Sequence, residues 1–171
     1  IISIGDFIKN KHYSDVYINH SPALNHNKEQ IKIVKKNNKK GCNLLIGTKF
    51  ALFNTSAKII KTQKSDITFC NGGSGNVMIY KKIIKQLLKN DNFKYKINLI
   101  IGPYINNFSK VKRSFIENKY IKVINQPDNI ISYLKNTKLF VSPASTSMFE
   151  SSLTKTPTLL FRLYKNQNIL A

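Results

Sequence analysis

The sequence predicts an α/β protein built on parallel sheet, and three observations carry that prediction. Strand-like apolar runs alternate with amphipathic helical runs through the C-terminal two-thirds of the chain. Most of the strand runs are continuously apolar, as strands covered on both faces are. Short Gly-, Pro- and Asn-rich stretches punctuate them.

Taken in order, "DITFC" (66–70) is a strand, and "VMIYKKIIKQLLKN" (77–90) sets Val77, Tyr80, Ile83, Ile84, Leu87 and Leu88 on one helical face. "KINLIIG" (96–102) is a strand ended by Pro103, and 107–118 holds a short helix. "YIKVIN" (120–125) is a strand, and "PDNIISYLKN" (127–136) is a helix capped by Asp128. "KLFVS" (138–142), the helix "STSMFESSL" (145–153) and the strand "PTLLFRL" (157–163) follow, and "KNQNILA" opens a further helix. Strand and helix thus repeat four times before a fifth strand.

The first 64 residues differ. "IISIGD", "DVYIN" (15–19) and "NLLIG" (43–47) are short strands separated by polar loops, with the Lys/Asn-rich run at 35–40 read as a solvated loop. Residues 1–47 are expected to be the tail of one α/β domain, 48–64 the interdomain segment and 65–171 a second domain. The chain lacks an initiator Met and closes on what reads as the start of a helix, so it is expected to be an internal piece of a longer protein.

Charge and cysteine usage bound the function. The formal net charge is +20, from 28 Lys+Arg against 8 Asp+Glu. Such a charge fits a polyanion-binding module or peripheral association with an anionic membrane. It also fits compositional drift toward Lys, Asn and Ile, because the lysines are dispersed and only "KIVKKNNKK" (32–40) clusters. Only Arg113 and Arg162 supply the guanidinium forks that nucleic-acid readers favour, so no specific nucleic acid is expected. Cys42 and Cys70 form no disulfide framework or metal-ligand pattern, which fits a reducing cytoplasm and a chain without metal or other cofactor. No apolar run approaches the roughly 20 residues that span a bilayer. His12, His20 and His26 all precede residue 48, and no nucleophile–base pairing follows from their spacing.

In open parallel sheets, ligands bind outside the carboxyl ends of the strands, and three stretches fall there. "NGGSGN" (71–76) joins a strand to a helix, where Gly73 and Ser74 allow close backbone approach to an anion or make an ordinary turn. "SPASTSMFE" (142–150) puts Ser145, Thr146 and Ser147 at a helix start, as caps or as anion ligands. Glu150 lies one turn further in, where a carboxylate can hold a ribose diol or stabilise the helix terminus. "NQN" (166–168) brings Gln167 and Asn168 after the last strand, as a cap or as donors and acceptors for a sugar or phosphate.

Together, the Gly-Gly-Ser loop, the "ASTSMFE…TPTLLF" block and the "NQ" pair resemble the C-terminal half of nucleotide-sugar enzymes of the glycosyltransferase-B fold. They most resemble the UDP-sugar hydrolase of pseudaminic acid biosynthesis and its spore-coat polysaccharide relatives. "IISIGDFIKNKHYSDVYINH" and "LLIGTKFALFN" resemble the same family's segments before the domain crossover, so the resemblance covers nearly the whole chain. It implies two Rossmann-like domains, the second being the nucleotide-sugar-binding one. It implies a UDP-sugar substrate, with Gly73, Ser74, Thr146 and Ser147 on the diphosphate or sugar and Glu150 on the ribose. Gln167 and Asn168 would approach the sugar or phosphate, and uracil would rest near 125–128.

The reaction it implies is release of UDP by water. A glycosyltransferase of the same fold, with an acceptor hydroxyl in place of water, is the alternative. The family's catalytic histidine lies on a Gly-rich loop that would precede Ile1, so this stretch is expected to supply the UDP-binding half. Three departures stand out: Ser145 replaces a family Gly, Gly75-Asn76 replaces Asp-Pro, and Asn54 replaces an Arg. Ser145 also leaves open a non-catalytic relative.

Overall fold

Among the described residues, eight strands, five α-helices and two short 3-10 helices form in chain order, as seen in a computed structural model that describes residues 1–53, 64–73, 76–115, 118–163 and 167. These residues fall into two units, Ile1–Phe53 together with Gln167, and 64–163.

In the first unit, β1 (Ile2–Ile4), β2 (Val16–Asn19) and β3 (Asn43–Ile46) make a parallel sheet in the order β1-β2-β3. Tyr17 is its centre, pairing with Ser3 on one side and Leu44 on the other. The Tyr17 ring is buried with Leu24 and Val34. Its hydroxyl donates to Gly5 O at 3.1 Å and accepts from Asn19 Nδ2 at 3.1 Å.

The polar loop expected between the second and third strands contains a helix instead, α1 (Lys28–Asn37). Asn27 caps it, its Oδ1 accepting from Gln30 N at 3.1 Å. Val34 is buried and Ile31 packs beside it. Two apolar contacts and a side-chain cap suffice once tertiary packing supplies the rest. The lysine-rich run is therefore partly helical: Lys35 and Lys36 sit exposed in the last turn.

The second unit is a five-stranded parallel sheet in the order β6-β5-β4-β7-β8. Its strands are β4 (Asp66–Cys70), β5 (Ile97–Ile101), β6 (Ile121–Asn125), β7 (Thr137–Pro143) and β8 (Thr158–Phe161). Central β4 aligns Thr68 with Asn98 of β5 and Phe69 with Val141 of β7. The connecting helices are α2 (Val77–Leu87), α3 (Phe108–Arg113), α4 (Ile131–Leu134) and α5 (Ser147–Leu153).

Strand alternation gives the sheet two cores. On one face Ile67, Phe69, Leu99 and Ile101 bury Tyr80 and Ile84 of α2. Ile83, from the same predicted stripe, stays 39% exposed at its margin. On the other face Cys70, Ile100, Ile124 and Phe140 pack with Leu134 of α4. Each such apolar side chain contributes about 1.5–3 kcal/mol on burial.

Helix α4 begins later than its sequence pattern predicts, and its cap differs. Ile130 rather than Asp128 takes the N-cap position, without a side-chain cap bond, and Asn129 Oδ1 just before it accepts from Ile131 N at 2.9 Å. At the far end of α5, the Lys64 ammonium donates to the carbonyls of Thr154 (2.9 Å) and Lys155 (3.0 Å). It closes a helix terminus where positive charge is favourable.

Candidate functional site

The order of the second sheet creates one place where neighbouring strands are followed by loops to different faces. From β4 the chain builds outward to β5 and β6, then crosses back to place β7 and β8 on the other side of β4. Helix α2 follows β4 and packs on the Phe69 face. Helix α5 follows β7 and packs beside α4. The carboxyl ends of β4 and β7 thus form a topological switch point, where open α/β sheets bind ligands. Two of the three sequence-predicted stretches flank it.

On the β4 side, Asn71 N donates to Ile100 O at 3.1 Å, continuing the ladder one residue past the strand. Gly72 then turns the chain with φ +66°, a conformation costly for any residue with a Cβ. Gly73 is exposed, and its carbonyl accepts from Tyr104 N at 2.9 Å. Asn76 ends the loop by capping α2, accepting from Met78 N at 2.9 Å. Ser74 and Gly75 lie outside the described residues.

The loop is braced by a glycine that sequence reading passed over. A Cβ on Gly102, just past β5, would lie 1.9 Å from Gly72 O and 2.8 Å from Gly73 Cα. Only a bare backbone fits there. Its one sequence cue was a Gly-Pro pair closing an apolar run, which read as ordinary punctuation.

On the β7 side, Ala144 N donates to Phe161 O at 3.0 Å, tying the loop to β8. The hydroxyls that follow have different surroundings. Ser147 is buried, with its Oγ 3.1 Å from that of Ser142 and 2.8 Å from that of Ser145. Ser145 is half-buried and Thr146 exposed. Thr146 takes the N-cap position in helical geometry, without a side-chain cap bond.

Glu150 is half-buried, and burial raises its carboxyl pKa. Its position relative to β4 appears in the Cys70 thiol. Burial pushes that thiol up to about 11, a bond from the Gly72 backbone opposes it, and the Glu150 charge adds a smaller push upward. Glu150 of α5 and the end of β4 therefore share one electrostatic environment.

The structure thus brings together Gly73, Ser145, Thr146, Ser147 and Glu150 around the β4–β7 carboxyl ends. Gln167 is buried and belongs to the first unit. Asn168 lies outside the described residues. Residues 125–128 end β6 at the same edge, where Gln126 N donates to Ile101 O at 3.0 Å. Among the described residues, no three His, Cys, Asp or Glu side chains group as a metal site requires. None of their helices is long and apolar enough to cross a membrane. A cavity of about 470 Å³ lies at the opposite, amino-terminal edge of the sheet, among Asp66, Asn98 and Lys122. Its location does not bear on the switch-point loops.

Comparison with known proteins agrees with this architecture. No family model matches the chain. An uncharacterised protein of Methanocaldococcus jannaschii, MJ1062, is 24% identical over 108 residues, covering 61% of this chain and 22% of that protein. The crystal structure of TarM, a glycosyltransferase of the glycosyltransferase-B fold, superposes with a TM-score of 0.58 at 15% identity, over 96% of this chain and 33% of TarM. A point mutant of S. aureus TarM in complex with fondaparinux, α-GlcNAc-glycerol and UDP gives 0.56 at 16% identity, over 92% of this chain and 32% of that one. The chain therefore spans about a third of TarM and about a fifth of the archaeal protein. These likenesses show the fold, an α/β architecture with parallel sheets of the glycosyltransferase-B type.

Proposed function

We propose that the second unit binds the UDP portion of a UDP-sugar at the β4–β7 switch point, as part of a glycosyl-transferring enzyme. The observation that carries this reading is the pairing of two loops. The Gly72–Gly73 turn and the Ser145–Glu150 segment arrive on neighbouring strand ends by different routes through the sequence. The glycosyltransferase-B fold and the UDP in a TarM complex support it.

In this reading the diphosphate lies against the Gly73 backbone and the Ser145 and Thr146 hydroxyls, while the Glu150 carboxylate accepts from the ribose diol. Ser147 acts one step back, holding Ser145 through the 2.8 Å hydroxyl contact. The bond between the anomeric carbon and the β-phosphate oxygen breaks, and the electron pair leaves with UDP. Donors already fixed around the diphosphate stabilise the charge that develops there. An acceptor hydroxyl attacks the anomeric carbon, the new C–O bond forms, and the hydroxyl proton passes to solvent.

Water in place of that hydroxyl gives the hydrolase. This second reading rests on the Gly-Gly-Ser, "ASTSMFE" and "NQ" motifs that resemble the pseudaminic acid pathway's UDP-sugar hydrolase. Incubating the full-length protein with UDP-sugars, with and without candidate acceptors, separates the two. Free sugar appearing without an acceptor is the hydrolase result, and intact donor until an acceptor is added is the transferase result. Neither outcome, together with no UDP binding, rejects both.

A further inference from the structure

The amino-terminal edge of the second sheet is polar where a covered α/β sheet is ordinarily apolar. Helix α4 has only four residues, Ile131–Leu134, and its Leu134 covers the carboxyl half of one face, over Cys70, Ile100 and Ile124. The positions two residues earlier along the same face are Thr68, Asn98 and Lys122. Between Asn98, Lys122 and Tyr133 opens the cavity of about 470 Å³, within the size range of small-molecule sites.

Its floor is built rather than merely solvated. Asn98 is 7% exposed in mid-strand and donates Nδ2 to Asp66 Oδ2 at 3.0 Å. Ser65 Oγ holds the other Asp66 oxygen at 2.9 Å. Asp66 and Asn98 both line the cavity, so the bonded amide–carboxylate pair forms part of its wall. The rim carries Lys96, Lys119 and Lys122, all exposed. Three ammonium groups against one carboxylate leave the cleft cationic.

We propose that this cleft binds a small polyhydroxylated ligand carrying an anionic group, of the chemistry of a sugar phosphate. Asp66 and Asn98 are the paired acceptor and amide that recognise vicinal hydroxyls, and the lysines meet the anion as point charges. The site lies at the strand ends opposite the switch point and does not depend on the UDP reading.

Calorimetric titration of the 171-residue chain with glucose 6-phosphate, glucose and inorganic phosphate tests it. Glucose 6-phosphate is expected to bind with a Kd of about 0.1–1 mM and the other two at least about tenfold more weakly. Lys96→Gln with Lys122→Gln is expected to weaken glucose 6-phosphate about tenfold, whereas Lys81→Gln with Lys85→Gln, equal in charge change on α2, leaves it unchanged. Lys85, Lys96 and Lys122 are exposed and Lys81 is half-buried, and circular dichroism checks that the variants stay folded. Asp66→Asn is expected to narrow the preference for the sugar phosphate over phosphate. UDP is expected not to compete. The proposal is overturned by absent saturation at about 10 mM, by equal binding of inorganic phosphate, by equal losses in the two lysine pairs, or by competition from UDP.

Discussion

Gly102 leaves no room for a side chain because the carbonyl oxygen of Gly72 lies 1.9 Å from where its Cβ would stand. The end of β5 thereby sets the height of the loop after β4. Replacing Gly102 with Ala forces backbone away from backbone, since the atoms it meets belong to Gly72 and Gly73 rather than to a yielding side chain. The expected cost is about 2–4 kcal/mol, from overpacking together with loop displacement. Urea denaturation measures it. A loss below about 0.5 kcal/mol would mean that the loop is not held as described.

The buried hydroxyls of Thr68 and Thr137 lie 2.5 Å apart, and Thr137 donates onward to Tyr133 O at 2.8 Å. Thr137 therefore uses its one proton on the carbonyl, and Thr68 donates to Thr137. Thr137→Val strands the Thr68 hydroxyl and takes one of two bonds from Tyr133 O, which keeps that from Asn136 N at 3.2 Å, with an expected loss of about 1.5–3 kcal/mol. Thr68→Val leaves the Thr137 bond intact and is expected to cost about 1 kcal/mol or less. Equal losses would contradict the assigned direction of the chain.

Ser147 and Thr146 are adjacent but should respond oppositely to truncation. Ser147→Ala removes a hydroxyl packed between those of Ser142 and Ser145. It is expected to lower stability by about 1–2 kcal/mol. Thr146→Ala, on an exposed side chain without a cap bond, is expected to change stability by less than about 0.5 kcal/mol. In the UDP-binding reading, Thr146→Ala lowers UDP affinity about three- to tenfold. Thermal melts alongside UDP titrations separate these two effects.

Burial raises the Glu150 pKa, so folding favours the neutral carboxyl more than the unfolded chain does. Its contribution to stability is complete below the ordinary carboxylate value and is lost as pH rises through the raised one. Relative to Glu150→Gln, the chain is expected to become less stable as pH climbs through that window. UDP binding should run the other way, because the ionised form accepts from the ribose diol. Affinity is expected to rise across the same window in the native chain and not in Glu150→Gln, which also subtracts the nucleotide's own titration. Parallel pH profiles for both chains would contradict this placement of Glu150.

The parallel second sheet was legible because continuous apolar strands such as "INLII" and "DITFC" leave little choice of partner or layer. The position of the two switch-point loops was legible because Gly-, Ser- and Thr-rich stretches directly follow two strand patterns, although each also reads as a turn or a helix cap. Helix α1 was not, because its apolar face is little more than Ile31 and Val34 amid lysines, and its stability comes from packing near Tyr17. The role of Gly102 was not legible either. It depends on β5 lying beside β4, a fact of pairing rather than of local sequence. The separation of Ser147 from Thr146 likewise needed the depth of each side chain. The polar floor at Asp66 and Asn98 escaped notice because two polar residues within apolar runs read as noise until their strands are aligned.

The most direct test of the UDP reading is amide-resolved NMR of the chain titrated with UDP. The expected result is saturable shifts concentrated at Gly72, Gly73 and Ala144–Glu150, with Glu150→Ala weakening binding about tenfold. Shifts confined to the lysine-rich segment at 32–40, or UDP binding indifferent to Glu150→Ala, would contradict it.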